Sequence, residues 1–551
     1  MYFTERIILA LAFGFAFLLS RAYGQQPTPD LILVNGKVFT SSASRPYSDA
    51  LAIRGERIVA VGTSKEIAAL AGKETRRIDL GNRLVIPGIN DAHFHLAVAP
   101  ETYDIPIHEN DPKWQQIREA LSSAVVTVPK GRWIEAAIGA NILDDPQATR
   151  TALDTLAPEN PVVLWDWTGH ASLMNTPALR KLGIREDQPN PEGGIYVRNQ
   201  EDGKLTGMVF EFAQFQASRR YSELASEQEA EQQLHKFFNQ AARWGITTVQ
   251  NMSNPITAER CVTLLEKASP PIRVRVIWFG LTDEHGRLTK EGRDLPANPT
   301  ALVTVNGTKW ILDGTPIERS AATRKPYADR PSTSGELDFS EKEMEEMLRE
   351  SLQREDQLMV HAVGDRTVET FLNAMDATGG KAVWNRRRVR MEHGDGILPD
   401  LIPRVRELGI VVVQNPTHLT LRDSMVSRYG VDRTDQLQPL RSLLQAGIPL
   451  ALGSDGPANP FLNIMLATIY PGKPQDAITR EQAVTAYTLT SAYAEFAEKD
   501  KGSLEPGKLA DLAVLSQDIF KASAEDLPKT ESVLTMVGGK IVYDAKVLTV
   551  H

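Results

Sequence analysis

The chain has 551 residues, enough for one large barrel with an accessory domain or for three ordinary domains, and its 42% hydrophobic and 24% charged residues are ordinary for a soluble globular protein. A formal net charge of -9, from 61 basic and 70 acidic residues, leaves no basic excess to neutralise phosphates and argues against a nucleic-acid partner. The single cysteine, Cys261, excludes an intrachain disulfide and a zinc-thiolate cluster, so any metal must be held by His, Asp, Glu or Lys.

At the N-terminus Arg6 precedes an apolar run from Ile7 to Leu19, and Ala22, Tyr23 and Gly24 follow. Charge, apolar core and small residues in that order read as a secretory signal over residues 1–24, which predicts export to the periplasm or the medium. The apolar run is too short for a comfortable membrane span, so no stable span is expected after cleavage. Residues 30–87 then carry short alternating strands, "DLILVNGKVFT", "ALAIRGERIVAVGT" and "RRIDLGNRLVIPG", with turns at Asn35-Gly36, Gly55 and Gly81-Asn82. The C-terminus returns to that style in "GSLEPGKLADLAVLS" and "ESVLTMVGGKIVYDAKVLTV". The simplest arrangement is one small β-domain composed of residues 25–87 and 503–551, with the middle inserted between them.

The middle, 88–502, alternates apolar strands with helical stretches. "RLVIPGINDAHFH", "GITTVQNM", "IRVRVIWFG", "TKWILDG", "QLMVHAVGD", "RRVRMEHGD", "GIVVVQNPTH" and "IPLALGSDGP" make about eight strands. That pattern predicts an α/β fold, a (β/α)8 TIM-like barrel, with a doubly wound open sheet as the alternative. About residues 98–228 are too long for a βα loop and are expected to form an inserted lobe over the barrel mouth.

Polar groups cluster where these strands end. His93 and His95 are two apart and point to one side of the first strand. Lys309, Asp313, His361, Glu392, His393 and Asp455 follow apolar runs at or near the C-terminal ends of later strands, the face where barrel enzymes carry their chemistry. Four histidines and an aspartate at one end of one barrel point to a divalent metal, for which imidazole and carboxylate are suitable ligands. Asp455 is placed both to hold metal and to take a proton from water.

"VIPGINDAHFH", "VHAVGD", "RMEHGD", "GSDGP" and "GSLEPGKLADLAVL", in that order, resemble the amidohydrolase superfamily, and more closely its amidohydrolase family 3 branch, which includes N-substituted formamide deformylase. The resemblance runs from about residue 30 to the C-terminus. It implies a barrel flanked by a composite β-sandwich from both chain ends. It implies two divalent ions, zinc foremost, on His93, His95, His361, His393 and Asp455. Lys309 matches the place of a carboxylated lysine that bridges two metals, with an ion-paired Lys309–Asp313 as the other reading and Glu211 as the next bridging candidate. His170 in "WTGHASLMNTPAL" resembles a pocket-facing segment, with Trp165 and Trp167 beside it as candidates to line an apolar pocket, and His418, after the seventh strand, is a candidate substrate contact. Asp365 and Glu392 are expected to orient ligand histidines. The chain departs from the family pattern at "IERSAATRKPYADRP", which puts Arg319 and Arg324 near the pocket rim, one of them able to hold a substrate carboxylate.

These readings predict hydrolysis of a non-peptide C–N bond, an amide or an N-substituted formamide, through a metal-bound hydroxide. Deamination or ester and lactone hydrolysis at the same site are the alternatives, and an exported non-catalytic binding protein is the remote one. The expected partner is a small-molecule substrate, and a homodimer is the default assembly.

Overall fold

The computed structural model describes residues 28–551 except 108, 110 and 290–293. The signal-peptide reading of residues 1–24 falls outside the described residues.

Strands from the two chain ends pair directly. Leu84–Pro87 runs antiparallel to Leu512–Leu515, with Leu512 opposite Pro87, inside a six-stranded sheet that also holds Lys37–Phe39 and Ser532–Val537. A five-stranded sheet combines Leu31–Val34, Ala50–Arg54 and Arg76–Asp79 with the terminal Thr549–Val550. Leu33, Leu51 and Ile78 of this sheet share one buried cluster with Val85, Val514 and Met536 of the other. Strands Leu31–Val34, Ala50–Arg54, Leu84–Pro87 and Leu512–Leu515 are buried on both faces: Ile32, Val34, Ala50 and Ala52 on the other face of the five-stranded sheet pack with Ile67, and Leu84, Ile86, Ala513 and Leu515 on the other face of the six-stranded sheet join the cluster of the barrel.

The middle of the chain forms eight parallel strands: β1 (Ile89–Phe94), β2 (Ile246–Met252), β3 (Arg273–Phe279), β4 (Val303–Ile311), β5 (Leu358–Ala362), β6 (Arg390–His393), β7 (Val411–Gln414) and β8 (Leu450–Leu452). They follow one another in order across the sheet, and every residue of β2, β5, β6, β7 and β8 is buried. The row nearly closes. Asp455 N–H donates to His93 O at 2.9 Å, and Ser454 N–H donates to Asp91 Oδ1 at 2.9 Å. The seam requires Gly453, because a Cβ there would lie 2.5 Å from the backbone nitrogen of His93. Ser226 and Ser340 start the helices Glu227–Arg243 and Glu341–Arg354 in capping boxes with Glu229 and Glu343, as the Ser-x-x-Glu spacing dictates.

The barrel interior carries a buried polar network. Arg275 donates to Asn306 Oδ1 at 2.6 Å and to Gln357 Oε1 at 2.8 Å, and Gln250 Oε1 accepts from both Arg275 and Arg390. The lobe between β1 and β2 has a six-stranded sheet of its own, from Thr102–Asp104 to Gly194–Arg198, and a core that includes Trp114, Leu121, Ile134 and Leu164. Its strand Val162–Asp166 ends at the turn 167–170, which faces the C-terminal ends of the barrel strands. No helix among the described residues is long and apolar enough to cross a membrane.

Candidate metal centre

β1 delivers His93 and His95 to one spot, with their Nε2 atoms 3.2 Å apart. Each imidazole spends its other nitrogen elsewhere. His93 Nδ1 donates to Glu392 Oε2 at 2.6 Å, and His95 Nδ1 donates to the Met252 carbonyl at 3.0 Å. In the neutral rings both Nε2 atoms are therefore bare acceptors and cannot hydrogen-bond each other. Asp455 Oδ1 adds a third acceptor, 3.6 Å from His93 Nε2 and 3.4 Å from His95 Nε2. Three lone pairs converging without a donor fit a divalent cation. A second group, His393, His418 and Asp455, has mutually close donor atoms and shares the same aspartate. His361 stacks edge-on against His393 with ring centroids 4.5 Å apart. Lys309, 1% exposed, lines the same cavity as His93, His95, His361, His393 and Asp455.

The charges around these donors are set by burial and by specific partners. Burial lowers His93, His361 and His393, and takes His95 down to about 4, so the neutral, ligating form prevails. Burial alone would raise Glu392, but Arg390, which grips it through Nε at 2.8 Å, and His93 hold it at about 2. Burial opposes a charge on His418 as well, yet Asp395 and Asp455 raise it to about 10. Burial pushes Lys309 down to about 8, which brings its amine within reach of neutrality, the state that can add carbon dioxide. His393 and Asp455 both sit at positive φ, 66° and 54°, a backbone cost of the kind that clusters at functional sites.

The sequence model of the amidohydrolase family matches residues 76–543. The chain belongs to the amidohydrolase family. Members hydrolyse carbon–nitrogen bonds other than peptide bonds, and this chain is an enzyme of that class. This amidohydrolase is 28% identical to the protein LONG AFTER FAR-RED 3 of Arabidopsis thaliana over 93% of its own length and 91% of that protein's. It is 26% identical to the N-substituted formamide deformylase of Arthrobacter pascens, over 94% and 98% of the two chains. Among solved structures, an uncharacterized metal-dependent hydrolase from Pyrococcus furiosus has the same fold, with a TM-score of 0.65 and 23% identity over 89% of this chain and 100% of that one.

The remaining expected site residues of this amidohydrolase divide by position. His170 comes from the lobe, donates through Nδ1 to Glu211 Oε2 at 2.6 Å, and brings its ring within 4.8 Å of the ring of His361. Glu211 is occupied by His170 and by Ser320 Oγ at 2.7 Å, which makes it a holder of His170 in this arrangement. Trp165 and Trp167 line the cavity with the histidines and Asp455, Trp165 being held there by its Nε1–H donated to Glu135 at 3.0 Å, and His418 lines the adjoining space beside Trp167. Asp313 does not pair with Lys309. Its oxygens accept the N–H groups of Ala322, Val363 and Gly364 at 3.0, 3.0 and 2.8 Å, which pins the loop after β4 to the loop after β5. Arg319 is not free for a substrate carboxylate, because Asp144 and Asp329 grip it at 2.7 Å each. Arg324 is taken by Glu369 and Asp400. Asp365 receives backbone N–H groups of Arg324 and Arg366 and orients no histidine, whereas Glu392 does orient His93. Two partners escaped the sequence reading. Asn415 Oδ1 lies 2.8 Å from His393 Nδ1, and Asp395 lines the cavity. Both stand next to motifs already singled out, in "QNPTH" and "EHGD", so their place at strand ends was the available signal.

Proposed function

We propose that this amidohydrolase hydrolyses a non-peptide amide of a small molecule, N-substituted formamides included, with divalent zinc held by His93, His95 and Asp455 and a second ion at His393 and Asp455 beside His361 and His418. The observation that carries the reading is the pair of bare Nε2 atoms 3.2 Å apart, facing the shared carboxylate of Asp455. A divalent cation supplies acidification of water and polarisation of the amide carbonyl. Asp455 takes the proton from the attacking water at its carboxylate and passes it to the departing nitrogen. Glu392 and the Met252 carbonyl keep both imidazoles in the ligating tautomer. Lys309, carboxylated, is the proposed bridge between the ions. The 26% identity to N-substituted formamide deformylase supports the substrate type. On the same terms, the strands of both chain ends form a β-sandwich domain, and residues 1–24 direct export.

Metal analysis of the chain purified without chelators or a histidine tag tests this. About two equivalents, falling in Lys309→Ala, with formate or acid release from amides that stops on chelation and returns with zinc, is the expected result. No metal under any loading condition overturns the reading.

A further inference from the structure

The turn 167–170 brings Trp167, Thr168 and His170 to the wall of the cavity, and two acids hold it at its base. Asp166 ends the lobe strand Val162–Asp166 and is 2% exposed. Glu318 comes from the loop after β4, on the barrel side. Thr168 Oγ1 lies within hydrogen-bond distance of both, close to Asp166 Oδ2 and 2.5 Å from Glu318 Oε1. Thr315 donates its hydroxyl to the other oxygen of Glu318. His170 N–H donates to Thr168 Oγ1 at 3.2 Å, so the same hydroxyl ties down the residue that bears the imidazole.

Thr168 has one hydroxyl proton and can donate to one carboxylate only. Its contact with the second is a hydrogen bond only where that carboxyl carries a proton of its own. Asp166 Oδ1 has no hydrogen-bond partner, so nothing else offsets a charge on that buried group. Among the described residues neither acid has a cation at ion-pair distance. The neighbouring arginines are engaged: Arg319 by Asp144 and Asp329, and Arg428 by the same two aspartates and by the Ile317 carbonyl at 2.9 Å. The other titratable groups facing the pair are His170 with its partner Glu211, Asp111, Tyr327 and, across the cavity, Asp455. Burial and Glu318 push Asp166 well above the usual carboxylate range. Burial works in the same direction on Glu318, but the hydrogen bond from Asp166 and the charge of His170 hold it low.

We propose that Asp166 and Glu318 share one proton, and that this carboxyl–carboxylate pair is a positioning clasp that fastens the cavity-lining turn 167–170 to the barrel loop and lets go as the proton is lost. Asp166 carries the proton and donates it to Thr168 Oγ1, and Thr168 donates to Glu318 Oε1. The two acids act through Thr168 and His170 and touch no reacting atom. The closed turn binds a proton that the open turn gives up. Closure is therefore tightest below the ordinary carboxylate range, and it weakens as pH rises through neutrality into alkali. Affinity for a substrate seated against Trp167 and His170 weakens with it, and that consequence rests on reading this cavity as the catalytic site.

The test is hydrogen exchange of the full, metal-containing chain from about pH 6 to about pH 9, wild type beside Asp166→Asn, whose amide N–H stands in for the shared proton at every pH. The N–H groups of Trp167, Gly169 and His170 report the turn, since they donate to the Ile138 carbonyl, the Asp166 carbonyl and Thr168 Oγ1. Taken as a ratio of wild type to variant at each pH, their exchange is free of the base-catalysed rise and of every other titrating group. The ratio grows at least about tenfold from the acid to the alkaline end, while the ratio for amides of the barrel strands stays constant. Glu318→Gln, which supplies the donor from the other side, removes the pH dependence as well. The wild-type turn compared with the wild-type barrel strands shows the same rise without either variant. A ratio flat in pH, or a rise shared by the barrel strands, overturns the proposal. Amide hydrolysis is followed separately, with metal content measured alongside. KM of the wild type rises in step with the exchange ratio and that of Asp166→Asn does not, and a KM indifferent to the loosening overturns the positioning role. Loosening of the turn without hydrolysis of any amide leaves the clasp standing and removes the proposed function, and hydrolysis with a flat ratio does the reverse.

Discussion

Asp455 contributes to both donor groups from a left-handed backbone, φ 54°. An L-residue in that region costs about 1–2 kcal/mol, which glycine escapes at some loss to the unfolded state. Asp455→Gly and Asp455→Ala remove the same carboxylate, so their difference isolates the backbone term. Urea denaturation should find Asp455→Gly more stable than Asp455→Ala by about 1 kcal/mol, with both short of metal. Equal stability would mean that the conformation stores no strain. That His93, His95, His361, His393 and Asp455 come together was legible in the sequence because each stands at or near the end of a strand of the barrel. The left-handed φ of His393 and Asp455 was not, since neither is a glycine and nothing in "MEHGD" or "GSDGP" distinguishes the preceding residue's backbone.

Among the elements, the eight strands were legible because parallel strands buried on both faces read as continuous runs such as "GIVVVQ". The polar barrel interior was not, because Arg275, Gln250 and Arg390 lie on three different strands and meet only when the sheet curls. Arg390 is wholly buried and holds Glu392, which in turn holds His93. Arg390→Met keeps the volume but strands a buried carboxylate, and should cost about 3–5 kcal/mol at neutral pH. The sign with pH follows from the depressed carboxyl. In the wild type its contribution is complete above 4.5 and is lost as pH falls towards 2. The variant lacks the cation that depresses it, and protonation then relieves the charge. Its stability deficit should therefore shrink between pH 7 and pH 4 in denaturant titrations. A deficit that grows towards acid would contradict this account of the network.

At the level of the whole molecule, the lobe is fastened to the barrel by charges that sequence patterns could not pair. Asp144, at the end of a lobe helix, binds Arg319 from the loop after β4 and Arg428 from the helix Arg422–Tyr429 after β7, at 2.7 and 3.0 Å. Asp144 and Arg319 are 175 positions apart, and both lie in irregular segments whose composition says only that they are loops. The pairing of the two chain ends was easier to anticipate, since both carry the same short alternating strands. Asp144→Ala leaves Arg319 with Asp329, and Arg428 with Asp329 and the Ile317 carbonyl. It should speed proteolytic cleavage within residues 140–147 and raise KM several-fold while metal content holds, and high salt should reproduce part of the effect in the wild type. An unchanged cleavage rate would show that apolar packing alone keeps the lobe in place.

The seam of the barrel and the metal centre are the same place. Asp91 and Ser454 meet across 363 residues of chain, and the neighbouring Asp455 reaches the histidines only through that meeting. Contacts of such long range form late in folding. A half-folded chain thus owns every proposed ligand yet has no binding site, a nascent chain short of residue 455 lacks the shared carboxylate as well, and a cation cannot template the barrel from its beginning. Acquisition of the ion becomes a certificate that synthesis and closure are both complete.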